Sequence, residues 1–512
     1  MLFRRWNMWI LMLLGSASVV NSTRLVANIT GPTVDLGYSR YFGSTLSSGV
    51  NQYLGMRFAS PPVDDLRFRA PAEPLVVEGL QNATTFQPIC LATGTKLPST
   101  TQAEDCLFIN VWGPSAATVD SKLPVWVYIQ GGGYVANSNS NYNGSTVVAI
   151  SGQNIVFVNF NYRVGSWGFL ASEKFGGDPR HAAFLSAGFY ILIIFSGGRD
   201  DGLFVGGIGE SVFFPTQPEV SNLEWQFERY ANATGCAGSP DELECLRSKD
   251  VATLQSANIA SPYPGRSASP RFYWTPTIDG VFIQDYPYRL IEQGKFVKVP
   301  IMFGDDTDEG SAFAANASSP ADVATFFQNN YPNLTDSDAE AINAEYPLMP
   351  PLPKHAAYFP SASAAYGEST FTCPGNYISQ AFSAANEYRV WNYRYNVLQA
   401  NNVQGGLGVP HTFESPAIFG LGNANDNVNS SYKTYNSEII PVVMNYWISF
   451  VRGLNPNSYK YSSAPKWDAL DDGRNGSRRL LLQTNATQME EIPQDEAERC
   501  DFWRTLVIAM NQ

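Results

Sequence analysis

Three histidines, His181, His355 and His411, are the whole supply of imidazole in this chain. They are far apart, and none stands in an HExxH or CxxC setting, which argues against a metal-hydrolase site. No GxxxxGK[ST] loop occurs, and Gly206, Gly207 and Gly209 have the wrong spacing for a dinucleotide-binding turn, so a flavin or nicotinamide oxidoreductase lacks its phosphate cradle. What remains is chemistry without a cofactor. His411 follows Gly405, Gly406, Gly408 and Pro410 and precedes Thr412, Phe413 and Glu414, which makes it a loop-borne candidate base. Glu309, in Asp308-Glu309-Gly310, follows the short apolar run Val299–Phe303 and falls at the strand edge where sheet enzymes keep their acids. Taken alone, such a residue is more often part of a solvated turn. Gln130-Gly131-Gly132-Gly133-Tyr134 follows the apolar run Val125–Ile129, and the N–H groups of Gly132 and Gly133 can face an oxyanion without obstruction from a Cβ. A flexible turn is the plain alternative.

The elements that must position these groups are legible as short apolar runs bounded by Gly, Pro and Asn. Leu107–Val111, Val125–Ile129 and Ile155–Asn159 read as buried strands of a mixed sheet. Helical patterns follow at Ala321–Asn329, Asp336–Ala344 and Ile440–Val451, with a short terminal helix at Phe502–Gln512. Strands interleaved with helices predict an α/β sheet, and Pro347–Pro360 predicts a surface excursion over it. The chain has 512 residues, 44% of them hydrophobic and 15% charged, enough to bury a large core and too apolar for a disordered chain. Its net charge of −13 repels phosphate backbones and argues against nucleic acid as a partner.

Compartment is written in the ends and the cysteines. In Met1–Ser22, Arg4 and Arg5 precede the apolar stretch Met8–Leu14 and a run of small residues, the layout of a cleaved secretory signal. Neither that stretch nor Ala182–Phe195 has the roughly 20 apolar residues a membrane span needs. Nine Asn-x-Ser/Thr sequons follow, at Asn28, Asn82, Asn143, Asn232, Asn316, Asn333, Asn429, Asn475 and Asn485. Six cysteines allow 15 pairings. Proximity favours Cys90 with Cys106 and Cys236 with Cys245, leaving Cys373 for Cys500; free buried thiols are the alternative. Together these features predict a secreted, disulfide-bonded glycoprotein.

A glycine loop, then a nucleophile, an acid and a histidine is the chain order of the α/β-hydrolase triad. Longer motifs carry a specific resemblance. Glu104-Asp105-Cys106-Leu107-Phe108-Ile109-Asn110-Val111, Asn161-Tyr162-Arg163-Val164-Gly165 and Phe175-Gly176-Gly177-Asp178-Pro179 resemble signature segments of the type-B carboxylesterases, the family of the cholinesterases and fungal lipases. The resemblance runs from about Leu25 to the C-terminus. It implies an α/β-hydrolase fold over residues 23–512, with a central, mostly parallel mixed sheet flanked by helices. It also implies Glu309 as acid, His411 as base and a cysteine pairing like the one above.

The nucleophile is where the chain departs from the family, whose elbow is Gly-x-Ser-x-Gly. Two partial copies exist: Phe184-Leu185-Ser186-Ala187-Gly188, and Gly209-Glu210-Ser211-Val212-Phe213. Position favours Ser186, with Ser211 as pocket wall. Phe184 and the run Phe189–Phe195 replace small residues where strand and helix pass closely, a crowding that costs about 1 to 3 kcal/mol. Leu170 is joined to Phe175 by four residues, where the family carries a helix. The expectation is a secreted carboxylic ester hydrolase needing no cofactor: Ser186 attacks, His411 moves the proton, Glu309 orients the ring, and Gly132, Gly133 and Ala187 hold the oxyanion. Small or moderately long soluble esters are the expected substrates rather than bulk fat, because the Cys90–Cys106 loop is short and mostly polar, unlike an amphipathic lid. The competing expectation is a catalytically silent, cholinesterase-like binding protein.

Overall fold

The computed structural model describes residues 31–175, 198, 202–385, 389–424, 429–470 and 478–512. The signal segment, the sequons at Asn28 and Asn475, His181, and the elbow with Ser186 and Ala187 lie outside the described residues.

Two five-stranded sheets carry the architecture. The first joins β1 (Ser44–Thr45), β2 (Val50–Arg57), β3 (Phe108–Pro114), β4 (Val125–Ile129) and β5 (Val156–Phe160) in the order β1-β2-β3-β5-β4. Only β4 and β5 run parallel in it, with Val125 against Val156 and Val127 against Val158. The second joins β6 (Gly207–Glu210), β7 (Ile301–Asp306), β8 (Val390–Tyr395), β9 (Arg478–Leu482) and β10 (Gln488–Glu491) in chain order, parallel from β6 through β9. Parallel strands must be buried on both faces, and β7 is buried at every position, including Asp305 and Asp306. Val299–Phe303 therefore continues further than its apolar run: the strand extends three residues into acidic sequence, which sets Glu309 just past its end.

One apolar cluster draws on both sheets, packing Trp112, Trp126 and Phe157 with Met302, Trp391 and Tyr393 under α1 (Ser145–Ile150) and the long helix α6 (Ile439–Gly453). The other face is not covered evenly. In β4 the side chains of Trp126 and Tyr128 enter the core, whereas Val125 and Val127 are 55% and 52% exposed. Alternation along a strand puts those two valines on one face, with Val156 and Val158 of β5 beside them.

The helices follow local sequence closely. Helix α2 (Pro320–Asn330) starts on Ser319 and α3 (Asp336–Glu345) on Thr335, each with a capping box closed by the aspartate at N3. Downstream, α4 (Phe359–Gly367) packs on the turn that carries Glu309, and α5 (Cys373–Ala384) packs on β7 and β8 of the second sheet. The terminal helix, α7 (Gln494–Met510), begins eight residues before the expected Phe502. Its first turns are polar and are held from the side: Arg479 binds Glu496, Arg499 binds Glu368, and Cys500 is bonded to Cys373. The other disulfides are Cys90–Cys106 and Cys236–Cys245, as proximity predicted. Of the excursion expected over Pro347–Pro360, residues 347–358 run outside helices before α4, whereas Phe359 and Pro360 are buried within that helix. No described helix is long and apolar enough to cross a membrane.

Candidate active site

Strand β7 ends at Asp306, and the chain turns at once into a short 3₁₀ turn, Glu309–Ala312, which aims Glu309 back under the sheet edge. Its side chain is 1% exposed. A buried carboxylate needs donors on both oxygens, and Glu309 has them. Oε1 accepts from Ser211 Oγ at 2.5 Å and from the Asp306 N–H at 2.7 Å, while Oε2 meets His411 Nδ1 at 2.6 Å.

His411 arrives on a loop tied to the acid's turn. Asp308 N–H donates to Val409 O at 3.0 Å, the Val409 N–H donates to Asp308 Oδ2 at 2.8 Å, and Ser311 Oγ donates to Leu407 O at 2.8 Å. Gly408 makes this closure possible: its φ is +60°, and a Cβ there would sit 2.0 Å from Asp308 Oδ2. The imidazole stands between Phe313 and Phe371, with centroids at 5.2 and 4.8 Å, and keeps 23% side-chain exposure. With Nδ1 donating to Glu309, Nε2 is the nitrogen left to accept a proton. Burial pulls the imidazole down, but the Glu309 charge, its hydrogen bond, and Glu414 behind it prevail and hold the ring above its ordinary value of 6.5.

Gly132 and Gly133 lie in the turn after β4, where Val135 and Ala136 donate to Gly132 O and Ser138 to Gly131 O. Among the described residues neither glycine N–H is given to an acceptor. At Gly133 a Cβ would fall 2.0 Å from the Phe272 ring, on a backbone with φ +57°. Rings then run in contact from Phe272 to Phe313 (5.7 Å) and from Phe313 to His411, so one aromatic wall links the glycine turn to the imidazole.

The structure thus brings Glu309 and His411 into contact and places Gly132 and Gly133 at the other end of that wall. Ser211 stands at the end of β6 with φ +58°, and its hydroxyl donates to the acid. Sequence reasoning named it pocket wall but missed the bond, whose only trace was a serine closing a Gly-x-Ser turn. It missed Asp306 too, an acid inside a buried strand. His355 is remote in function: it stacks on Phe359 at 3.6 Å and its Nε2 meets Gly405 O at 3.1 Å. No cluster of metal-ligating side chains occurs among the described residues.

Comparison with known proteins places the chain in a family. Residues 31–178 and 172–503 match the model of the carboxylesterase family. Lipase 4 of Diutina rugosa is 27% identical, covering 86% of this chain and 90% of its own length. Acetylcholinesterase of Bungarus fasciatus is 26% identical over 97% of this chain and 90% of its own, and the secreted lipase 4 of Gibberella zeae is 25% identical over 91% and 92%. Among solved structures, EstA of Aspergillus niger superposes with a TM-score of 0.89 and 48% identity, covering 94% of this chain and 99% of its own.

Proposed function

We propose, for a chain that belongs to the carboxylesterase family and has the α/β-hydrolase fold, that its ester hydrolysis runs through Ser186, His411 and Glu309. The observation that carries the reading is the 2.6 Å bond between His411 Nδ1 and Glu309 Oε2 at the C-terminal ends of parallel strands. It fixes the tautomer that a general base requires.

In the proposed cycle, Ser186 Oγ attacks the ester carbonyl carbon and its proton passes to His411 Nε2. The carbonyl oxygen becomes an oxyanion held by the N–H groups of Gly132, Gly133 and Ala187. The C–O bond then breaks, and the alcohol leaves with the proton from His411. Water attacks the acyl-enzyme, gives its proton to Nε2, and releases the acid as Ser186 recovers it. Glu309 orients the ring and stabilises the imidazolium between the two transfers. Small soluble esters suit a site walled by Phe272, Phe313 and Phe371. Residues 23–512 form the hydrolase domain in this reading. The three disulfides and the secreted relative support export of the chain, with Met1–Ser22 as signal and the sequons as glycan acceptors.

Hydrolysis of a p-nitrophenyl ester, with fluorophosphonate labelling mapped by peptide mass, tests the reading. The label should fall on Ser186, and Ser186→Ala should abolish both signals while Ser211→Ala still takes label. Label on Ser211 would move the nucleophile to the end of β6. Protein that neither turns over nor takes label would overturn the triad and favour the silent, binding alternative.

A further inference from the structure

Behind the His411–Glu309 pair lies a second pair of acids that the proposed chemistry does not use. Asp306 and Glu414 are both buried, one closing β7 and the other three residues beyond His411. Among the described residues, each has an oxygen, Asp306 Oδ1 and Glu414 Oε2, that receives no hydrogen from any N–H or O–H neighbour. Burial pushes both carboxyls above the ordinary carboxylate range.

The same Asp306 holds the site from both sides. Its backbone N–H donates to Glu309 Oε1 at 2.7 Å, and its Oδ2 accepts from the N–H of Phe413, two residues past His411, at 3.0 Å. We propose that Asp306 is a positioning residue: its carboxyl, through the Phe413 N–H, fastens the turn that bears His411 to the end of the strand that bears Glu309. Burial, then the charge of Glu414, keeps the Asp306 carboxyl well above the ordinary carboxylate range, whereas the Phe413 N–H opposes this. The field of Glu414 is also among those that raise the imidazole.

The chemistry distinguishes two substitutions. Asp306→Asn keeps an acceptor for the Phe413 N–H. Asp306→Ala removes it and leaves that N–H without its acceptor. Misplacing a base by a fraction of an ångström lowers the chemical step, not substrate capture, so Asp306→Ala should lower kcat by about tenfold or more with KM within about threefold. Asp306→Asn should restore kcat to within about threefold of the parent. The kinetic arm rests on the hydrolase reading. A second arm does not: the proton NMR signal of His411 Nδ1–H, shifted downfield by its short bond to Glu309, should persist in Asp306→Asn and be lost or broadened in Asp306→Ala. Should the alanine variant fail to fold, the asparagine variant still decides the matter by its resonance and its kcat. An asparagine variant as impaired as the alanine one, or one without the downfield signal, overturns the proposal. So does an alanine variant with the parent's kcat and resonance.

Discussion

Glu309 divides its two oxygens between different neighbours, Oε2 to the imidazole and Oε1 to Ser211 and the Asp306 N–H. Removing its charge has two separable consequences. Glu309→Gln takes away the chief field that raises His411, so the acid limb of the kcat/KM profile, expected above pH 6.5 in the parent, should move to lower pH. The amide also stops holding the tautomer, and kcat should fall by about 10⁴-fold. A rate–pH series on both proteins checks limb and plateau together. Ser211→Ala is milder, since the Asp306 N–H still serves Oε1, and a loss of about tenfold in kcat with unchanged labelling is expected. None of these partners except Glu309 and His411 could be read from the sequence. The loop motifs announce residues that chemistry requires, whereas Ser211 and Asp306 owe their importance to a contact made across strands.

At the scale of elements the sequence was a better guide where one face is apolar and a cap is present. Ala321–Asn329 and Asp336–Ala344 fall within a residue of α2 and α3, because Ser319 and Thr335 mark the starts. The beginning of α7 was hidden, because Gln494–Arg499 has no apolar stripe and is kept helical by ion pairs and a disulfide from other elements. The nucleophile's element falls outside the described residues altogether. Strand β6 carries a further consequence at its end, where burial, with the Glu414 charge adding and the Trp447 N–H opposing, pushes the Glu210 carboxyl up to about 8. An acid raised above its unfolded value of about 4.5 contributes stability that is full below that pH and is lost as pH rises through 8. Glu210→Gln should therefore melt progressively higher than the parent between pH 4.5 and 8, with no further gain above. A melting difference that ignores pH over that window would refute the shift.

Over the whole molecule, the three disulfides span very different lengths of chain. Cys373 and Cys500 are 127 residues apart, whereas Cys236 and Cys245 are separated by 9. Closing the long loop stabilises by about 4 to 5 kcal/mol in the chain-entropy model, so Cys373→Ser with Cys500→Ser should lower the denaturation midpoint well beyond the corresponding change at Cys236 and Cys245. Chemical denaturation of the two double variants orders them.

The bare valines of β4 act on this scale as well. Apolar side chains open to water are a surface that neighbouring molecules in a concentrated solution will adhere to, so the colloidal behaviour of this protein should respond to these two positions. Val127→Thr should raise the concentration at which scattering grows while leaving turnover alone. Shelf life and catalysis would then be adjustable independently in one polypeptide.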